Sequence, residues 1–483
     1  MHLFVIQRIL GILLMVFSLT MLPPLLVSFI YIDIAFEAFF ESFAVILISG
    51  IVLWLPVKRQ KSDLRLRDGF LVVALFWTIL SLFGSIPFLL SPEPHISFTD
   101  AVFEAVSGLT TTGATVIIGL DNLPPSLLFY RQQLQWLGGA GVIVLAIAIL
   151  PMLGIGGMQM FRAETAGPMK DEKITPRIMQ TARTLWGIYV GLTIICALSY
   201  WIAGMSAFDA IAHSFSTVST AGFSTYDASL GHFNNVAIET VAMVFMLLGG
   251  ISFNIHFMVL RSRNPAIYWR DTQVWVFLLI VALLCLLVST TLYWSGQYIE
   301  PLDALRHGSF QVVSVMTTTG FGTDDFSVWP LFLPVLLIFS SFLGGCAGST
   351  SGGIKIIRFI VLSKEGSREM WRLLHPKIIR QIKIGGHPIS ERVIDAVWGF
   401  FSLYVVSFAL IMLLVMATGV DQVTAFGAVA ASINNLGPGL GDVGGTFESL
   451  NDTAIWLCSF AMLLGRLEIF TLLVLLSPAF WRR

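Results

Sequence analysis

The chain has 483 residues, 56% of them hydrophobic and only 12% charged, with a formal net charge of −1. Soluble domains carry about 25% charged residues, and the mean hydropathy here is +0.83, which excludes an ordinary soluble globular protein. Charge-free runs cover Gly69–Leu90, Gln132–Phe161, Thr184–Phe208, Thr240–Leu260, Thr272–Ile299 and Phe326–Ile354. Each reaches the ~20 apolar residues that a helix needs to cross the hydrocarbon core, so the class is an all-α polytopic membrane protein.

Residues 1–68 predict two transmembrane helices. Arg8 precedes an apolar stretch from Ile9 to Tyr31 with no A-x-A cleavage site. It is longer than a signal-peptide core and reads as a retained span. A second apolar stretch ends in the basic connection KRQKSDLRLRD (Lys58–Asp68).

From residue 69 one unit recurs four times, over residues 69–160, 161–271, 272–366 and 367–483. Each unit places a short apolar-to-polar segment between two spans. The segments are DAVFEAVSGLTTTGAT (Asp100–Thr115), DAIAHSFSTVSTAGFST (Asp209–Thr225), DALRHGSFQVVSVMTTTGFGT (Asp303–Thr323) and DQVTAFGAVAASINNLGPG (Asp421–Gly439). Their common glycines are Gly113, Gly222, Gly320 and Gly437, spaced by 109, 98 and 117 residues. A fixed element recurring at such intervals marks an internal repeat, where one isolated TTG would carry no information.

The chemistry of the segment narrows its use. Asp100, Asp209, Asp303 and Asp421 are expected as N-caps of half-length helices whose negative C-terminal ends point toward the middle of the membrane. The glycine that follows permits backbone conformations closed to other residues. Irregular backbone at membrane depth is tolerated only where protein or a water-filled cavity surrounds it. Four such turns about one axis would form rings of carbonyl oxygens able to replace the hydration shell of a cation. The expected architecture is therefore ten full spans and four half-helices in pseudo-fourfold arrangement. Four re-entrant loops that merely pack, with glycines serving close helix approach, are the structural alternative.

The third unit also contains GGCAGSTSGG (Gly344–Gly353), half glycine and a poor composition for continuous helix. Gly344 lies 15 residues after Trp329 and Arg466 lies 14 after Asp452, which puts both ~20 Å into their spans at 1.5 Å per residue. An intramembrane arginine is costly and by default functional; pairing with Glu468 or with loop carbonyls is its structural alternative. Gly344, Gly345, Gly348, Gly352, Gly353 and Arg466 are the candidate gate residues.

Lysine and arginine fix the orientation. Of the 28 basic residues, 25 fall at the two ends or in four connections: Lys58–Asp68, Phe161–Arg183, Arg261–Arg270 and Lys355–Arg392. Positive charge marks the cytoplasmic side, so both termini are expected there. The intervening connections are acidic, with Asp121, Asp227, Asp324 and Asp325 among others, which would concentrate cations at an entrance.

On these motifs the sequence resembles the Trk/Ktr/HKT superfamily of potassium transporters, and within it the membrane subunits of bacterial Trk systems. The resemblance runs over essentially the whole chain, including GRLEIFTLL at Gly465–Leu473. It implies four M1–P–M2 units, a homodimer in the bacterial inner membrane, and low-affinity, K⁺-selective uptake through a gated pore. It also implies K⁺ ligation by main-chain carbonyls of Thr111 and Thr112, Thr220 and Ala221, Thr318 and Thr319, and Asn435 and Leu436. A further implication is a cytosolic, nucleotide-binding regulatory subunit of TrkA type as partner. K⁺ is the transported ion; neither an organic cofactor nor nucleic acid is expected. The filter departs from the TVGYG of tetrameric potassium channels: one glycine is common to all copies, and NNLGPG in the fourth has no threonine. Weaker discrimination against Na⁺ is the expectation.

Other classes fare worse. Neither a P-loop, H-E-x-x-H nor G-x-S-x-G occurs, so an enzyme is not expected. GLGDVG (Gly439–Gly444) has dinucleotide-fingerprint spacing but follows a filter segment rather than a strand. The four cysteines are scattered through apolar segments and form neither a disulfide nor a zinc pattern. The competing function is K⁺ symport with H⁺ or Na⁺, kept open by Glu104 and His213 in two of the half-helices.

Overall fold

The computed structural model describes residues 3–60, 66–144, 174–377 and 381–482, and it is predominantly helical. Lys383–Ile384 and His387–Pro388 form a small antiparallel hairpin with Lys383 opposite Pro388. Among the described residues six helices are long and apolar enough to cross a bilayer: Leu3–Tyr31, Phe36–Val57, Arg67–Leu90, Arg183–Ile202, Thr272–Trp294 and Glu391–Ala417. Two more apolar stretches are bent pairs. Val236–Gly250 turns by 95° into Phe253–Ser262, and Asp452–Arg466 turns by 117° into Phe470–Leu476. The stretch from Trp329 holds an 11-residue helix, Leu333–Leu343, and then irregular backbone to Lys355. Helix Pro125–Val144 ends at the edge of the described residues, and most of the basic connection Phe161–Arg183 lies outside them, as does the boundary at 160/161.

The sequence explains these elements locally. Thr272–Trp294 is apolar all round. Phe277, Val281 and Val288 are buried, whereas Leu279, Leu283 and Leu286 are exposed, as suits a helix packed on one side and lipid-facing on the other. Lipid tails are as apolar as leucine, so association between such helices depends on close fit. Gly11 and Gly50 provide it near the N-terminus: a Cβ at Gly11 would lie 2.9 Å from the Gly50 carbonyl oxygen.

Four short helices hold the segments singled out above: Phe98–Leu109, Ala207–Val218, Pro301–Met316 and Gln422–Ile433. At 12 to 16 residues they are ~18–24 Å long, too short to cross a membrane. Their caps differ from expectation in three cases. Only Asp421 is an N-cap, its side chain accepting from the Thr424 N–H at 2.9 Å. Asp100 and Asp209 stand three residues inside, and the caps are Ser97 and Ser206. The Ser206 Oγ accepts from the Asp209 N–H at 3.0 Å and donates to its carboxylate at 2.7 Å, a variant of the serine-led capping box. The third helix starts with Pro301 after Glu300, without a side-chain cap, and Asp303 lies in its first turn. Ser206→Ala should therefore lower stability by about 1 kcal/mol, read as a lower melting temperature in detergent. Asp303→Ala should have a smaller effect, because no cap is lost.

Candidate functional site

The C-terminal ends of the four short helices share one hydrogen-bond pattern. In the first, the Thr111 N–H donates to Gly108 O at 3.0 Å and the Thr112 N–H to Ser107 O at 2.9 Å. The same two bonds recur from Thr220 and Ala221 to Thr217 and Ser216, from Thr318 and Thr319 to Val315 and Ser314, and from Asn435 and Leu436 to Ser432 and Ala431. This is the Schellman closure of a helix, which requires a left-handed residue, normally glycine, just past the end. Here that residue is Thr111 (φ 54°), Thr220 (51°), Thr318 (55°) or Asn435 (53°). A β-branched residue at positive φ is an outlier that persists only where its surroundings over-determine it. The closure uses the N–H groups of each turn and leaves carbonyl oxygens available.

Gly113, Gly222, Gly320 and Gly437 follow, all at positive φ (82° to 102°). Their neighbours close a ring. A Cβ on Gly113 would lie 2.1 Å from Ala221 O, one on Gly222 2.0 Å from Thr319 O, one on Gly320 2.1 Å from Leu436 O, and one on Gly437 2.9 Å from Thr112 O. Each glycine thus abuts the carbonyl that precedes the glycine of the next repeat, and the fourth returns to the first. Segments separated by about a hundred residues meet around one centre. The predicted K⁺ ligands Thr111, Thr112, Thr220, Ala221, Thr318, Thr319, Asn435 and Leu436 are all in this ring of turns, and all are buried. Ala221 differs from its counterparts because its carbonyl also accepts from Gln135 Nε2 at 2.7 Å.

The Gly344–Gly353 loop lies against these helix ends. Gly344 (φ 64°) opens it, and a Cβ there would lie 2.3 Å from Gly352 O, so the entry and exit strands touch. The Gly345 carbonyl accepts from Ile356 N, the Gly348 carbonyl from Phe253 N, and Gly353 donates to Asn434 O, all at 3.1 Å. Gly352 donates to Thr318 Oγ1 at 2.6 Å. Thr350 Oγ1 is 3.1 Å from both Thr220 Oγ1 and Val218 O. Thr220 and Thr318 therefore reach the loop with their side chains, which accounts for threonine at those two turns where glycine would be less strained, whereas Thr111 Oγ1 has no hydrogen-bond partner among the described residues.

Arg466 ends the helix Asp452–Arg466 and is 6% exposed. Its Nη1 donates to Thr350 O at 2.9 Å, whereas Nε and Nη2 have no hydrogen-bond partner among the described residues. Glu468, the ion-pair partner considered from the sequence, pairs instead with Arg358 at 2.6 Å. The Arg358 guanidinium also sits 4.0 Å over the Phe400 ring. Lys355 donates to Ser351 O. With Ser351 and Gly352, these four charged residues line a cavity of about 40 Å³, roomy enough for water.

Two features escaped the sequence reading. One is a second repeated motif: LGG at Leu137–Gly139, Leu248–Gly250 and Leu343–Gly345, and LGR at Leu464–Arg466. Its first glycine packs on the end of the preceding short helix in three repeats. A Cβ there would lie 1.9 Å from Leu109 O (Gly138), 3.1 Å from Val218 O (Gly249) and 2.0 Å from Ile433 O (Gly465). Arg466 thus stands where the other repeats have a second glycine. The other is the polar face RQQLQ at Arg131–Gln135, whose partners are far away in sequence. Gln135 takes both sides of Gly222, donating to Ala221 O and accepting from Phe223 N at 3.1 Å.

Comparison with known proteins agrees with this geometry. The family model for TrkH, described as "Cation transport protein", matches residues 35–483. "Trk system potassium uptake protein TrkH" of Vibrio parahaemolyticus is 55% identical over 479 residues, covering 99% of each chain. The protein of that name from Escherichia coli K12 is 52% identical over the full length of both, and "Trk system potassium uptake protein TrkG" of the same strain is 42% identical. The crystal structure of the potassium transporter TrkH from Vibrio parahaemolyticus superposes with a TM-score of 0.93 at 52% identity, covering 100% of both chains. A chain with this ring of glycine turns, matched along nearly its whole length, belongs to the TrkH family of cation transport proteins.

Proposed function

We propose that this protein takes up potassium across the bacterial inner membrane through a gated, K⁺-selective pore. The observation that carries the reading is the closed ring, in which each of the four glycines abuts a carbonyl of the next repeat. A dehydrated cation needs several oxygen ligands at once, and four converging turns with committed N–H groups offer main-chain carbonyls. In this reading the carbonyls of Thr111, Thr112, Thr220, Ala221, Thr318, Thr319, Asn435 and Leu436 hold K⁺. The units are M1–P–M2 repeats within 69–160, 161–271, 272–366 and 367–483, after two helices in 1–68. Ten spans and four half-helices place both termini in the cytoplasm, supported by the clustering of lysine and arginine in alternate connections. Membership of a multi-component Trk system, suggested by the relatives' names, supports a separate cytosolic nucleotide-binding subunit of TrkA type. The protein itself is read as a homodimer in the lipid bilayer.

Symport with H⁺ or Na⁺ is the competing reading, and the surroundings of Glu104 and His213 disfavour a proton relay. Both are 0% exposed and sit behind the turns: Glu104 pairs with Arg131 and His213 bonds Ser224. A reversal potential set by the K⁺ gradient, with at most the smaller Na⁺ contribution of an imperfectly selective pore, is expected. Net K⁺ movement driven against its own gradient by an H⁺ or Na⁺ gradient would overturn the channel reading.

The uptake assignment is tested by growth. Uptake-deficient cells expressing the wild-type chain should grow at low external K⁺, and cells expressing Gly113→Asp should not. Equal growth of both would remove the pore assignment.

A further inference from the structure

Nine residues before the four ring glycines stand Glu104, His213, Gln311 and Ala428. The first three are buried, and each reaches the strand that leaves its own turn. The Glu104 carboxylate accepts from Thr115 Oγ1 at 3.0 Å and from Val116 N at 3.3 Å. His213 Nε2 lies 3.0 Å from Ser224 Oγ, and its Nδ1 lies 2.9 Å from Asp209 O. A neutral ring protonated on Nδ1 satisfies both contacts, with Ser224 donating to Nε2. Gln311 Nε2 donates to Asp324 O at 2.6 Å. Thr115 and Ser224 each stand two residues past their glycine.

The fourth repeat dispenses with a side chain. There the departing strand rests on the helix itself, and a Cβ at Gly427 would lie 2.3 Å from Leu440 N. Pro438 directly after Gly437 stiffens that strand further. One position along the short helix thus meets one need in three repeats, with a carboxylate, a histidine and an amide, and the fourth meets it by backbone packing at the neighbouring Gly427.

The first of these binds two repeats together. Arg131 Nε donates to Glu104 at 2.6 Å, Nη2 to Thr115 Oγ1 at 3.0 Å, and Nη1 to Ser224 O at 3.2 Å, across to the second repeat. Its guanidinium lies 4.1 Å over the Phe223 ring, and Phe223 follows Gly222. Glu104, Arg131, Thr115, Ser224 and His213 form one continuous network behind half of the ring, and Arg131 and Glu104 are both essentially fully buried.

We infer that this position is a brace that fixes the width of the carbonyl ring, with Glu104, Arg131 and His213 positioning the filter and setting its preference for K⁺ over Na⁺. The inference rests on the filter reading given above. A smaller cation is bound well only if the oxygens close in on it, and a strand held from behind resists that closure. None of the three side chains is placed to touch the ion. They act through the strands they hold, so their loss should change selectivity more than the amount of folded protein.

The test uses the full-length protein in liposomes, with reversal potentials under opposed K⁺ and Na⁺. Removing one partner of a buried pair strands the other charge, so the pair is neutralised together as Glu104→Gln with Arg131→Met. His213→Ala is a second, charge-free route in case the double variant does not fold. The double variant is expected to lower the K⁺/Na⁺ permeability ratio about tenfold, the scale of one lost charge-assisted hydrogen bond, and His213→Ala about fivefold, the scale of one lost neutral hydrogen bond. His213→Gln, which places at this position the amide that the third repeat uses, should restore the ratio. A wild-type ratio in His213→Ala and in the folded double variant, with conduction intact, would overturn the brace and leave the filter reading standing. Wild-type conduction by Gly113→Asp in the same assay would overturn both.

Discussion

Replacing Gly222 by alanine is expected to abolish potassium uptake while the protein still reaches the membrane. The new methyl group would lie 2.0 Å from Thr319 O, far inside van der Waals contact, and the backbone at φ +82° disfavours any residue with a Cβ. Neither neighbour can yield cheaply, because Thr319 is fixed by the closure of its own helix, with its N–H bonded to Ser314 O at 2.8 Å. Overpacking of this kind costs about 1–3 kcal/mol even in ordinary cores. Here the strain falls on the oxygens proposed to bind the ion, so function should fail before folding does. The four positions should also differ. Gly113 and Gly320 are as tight as Gly222, but a Cβ at Gly437 would lie 2.9 Å from Thr112 O. Gly437→Ala should therefore keep measurable rubidium uptake where the other three keep none. Wild-type uptake by Gly222→Ala, at matched protein levels, would show that the turns do not form the conduction path.

Much of this site was legible because it is repeated. Gly113, Gly222, Gly320 and Gly437 stand out in the sequence through their recurrence between apolar runs, and a helix followed by a polar turn with glycine has few other uses at membrane depth. The caps were misjudged for a local reason. Aspartate alone looks like an N-cap, but with serine three residues earlier at Ser97 and Ser206 the pair forms a box with serine outermost. The bends at Gly250 and Arg466 leave no mark in hydropathy, which does not register direction. The LGG and LGR motifs mark the breaks in the last three repeats, whereas in the first LGG lies within the helix Pro125–Val144.

The polar braces were harder to find. Arg131 and Ser224 are 93 residues apart in sequence, and Gln135 and Ala221 are 86 apart. No local periodicity reports such contacts, and RQQLQ reads simply as a polar start to a span. Glu104 and His213 were noticed only as ionisable groups and considered for proton coupling. Their partners assign them to the back of the turns. The alignment that makes them equivalent, nine residues before each glycine, is readable in the sequence once the repeats are superposed.

Arg466→Ala is expected to raise potassium flux at least tenfold when the protein is otherwise closed. The proposed gate combines two actions of this one residue. Its guanidinium holds Thr350 O at 2.9 Å, and Thr350 Oγ1 in turn bonds Thr220 and Val218. The arginine therefore pins the loop against the ring. It also places a buried positive charge beneath the turns. At an effective dielectric of about 20, two unit charges 4 Å apart repel by about 4 kcal/mol, which slows passage by about three orders of magnitude. Alanine removes both the pin and the repulsion. Lysine keeps the charge but not the planar fork, so Arg466→Lys should stay closed more often than Arg466→Ala and less often than wild type. That ordering separates charge from anchorage. Deleting residues 346–351 should raise flux even with Arg466 present, because the obstructing backbone is gone and Thr350 with it, but only in part, because the positive charge remains. Single-channel recording checks all three variants. Unchanged open probability in both Arg466→Ala and the deletion would reject the gate, and would leave the arginine as a purely structural prop at the point where the last span bends by 117°.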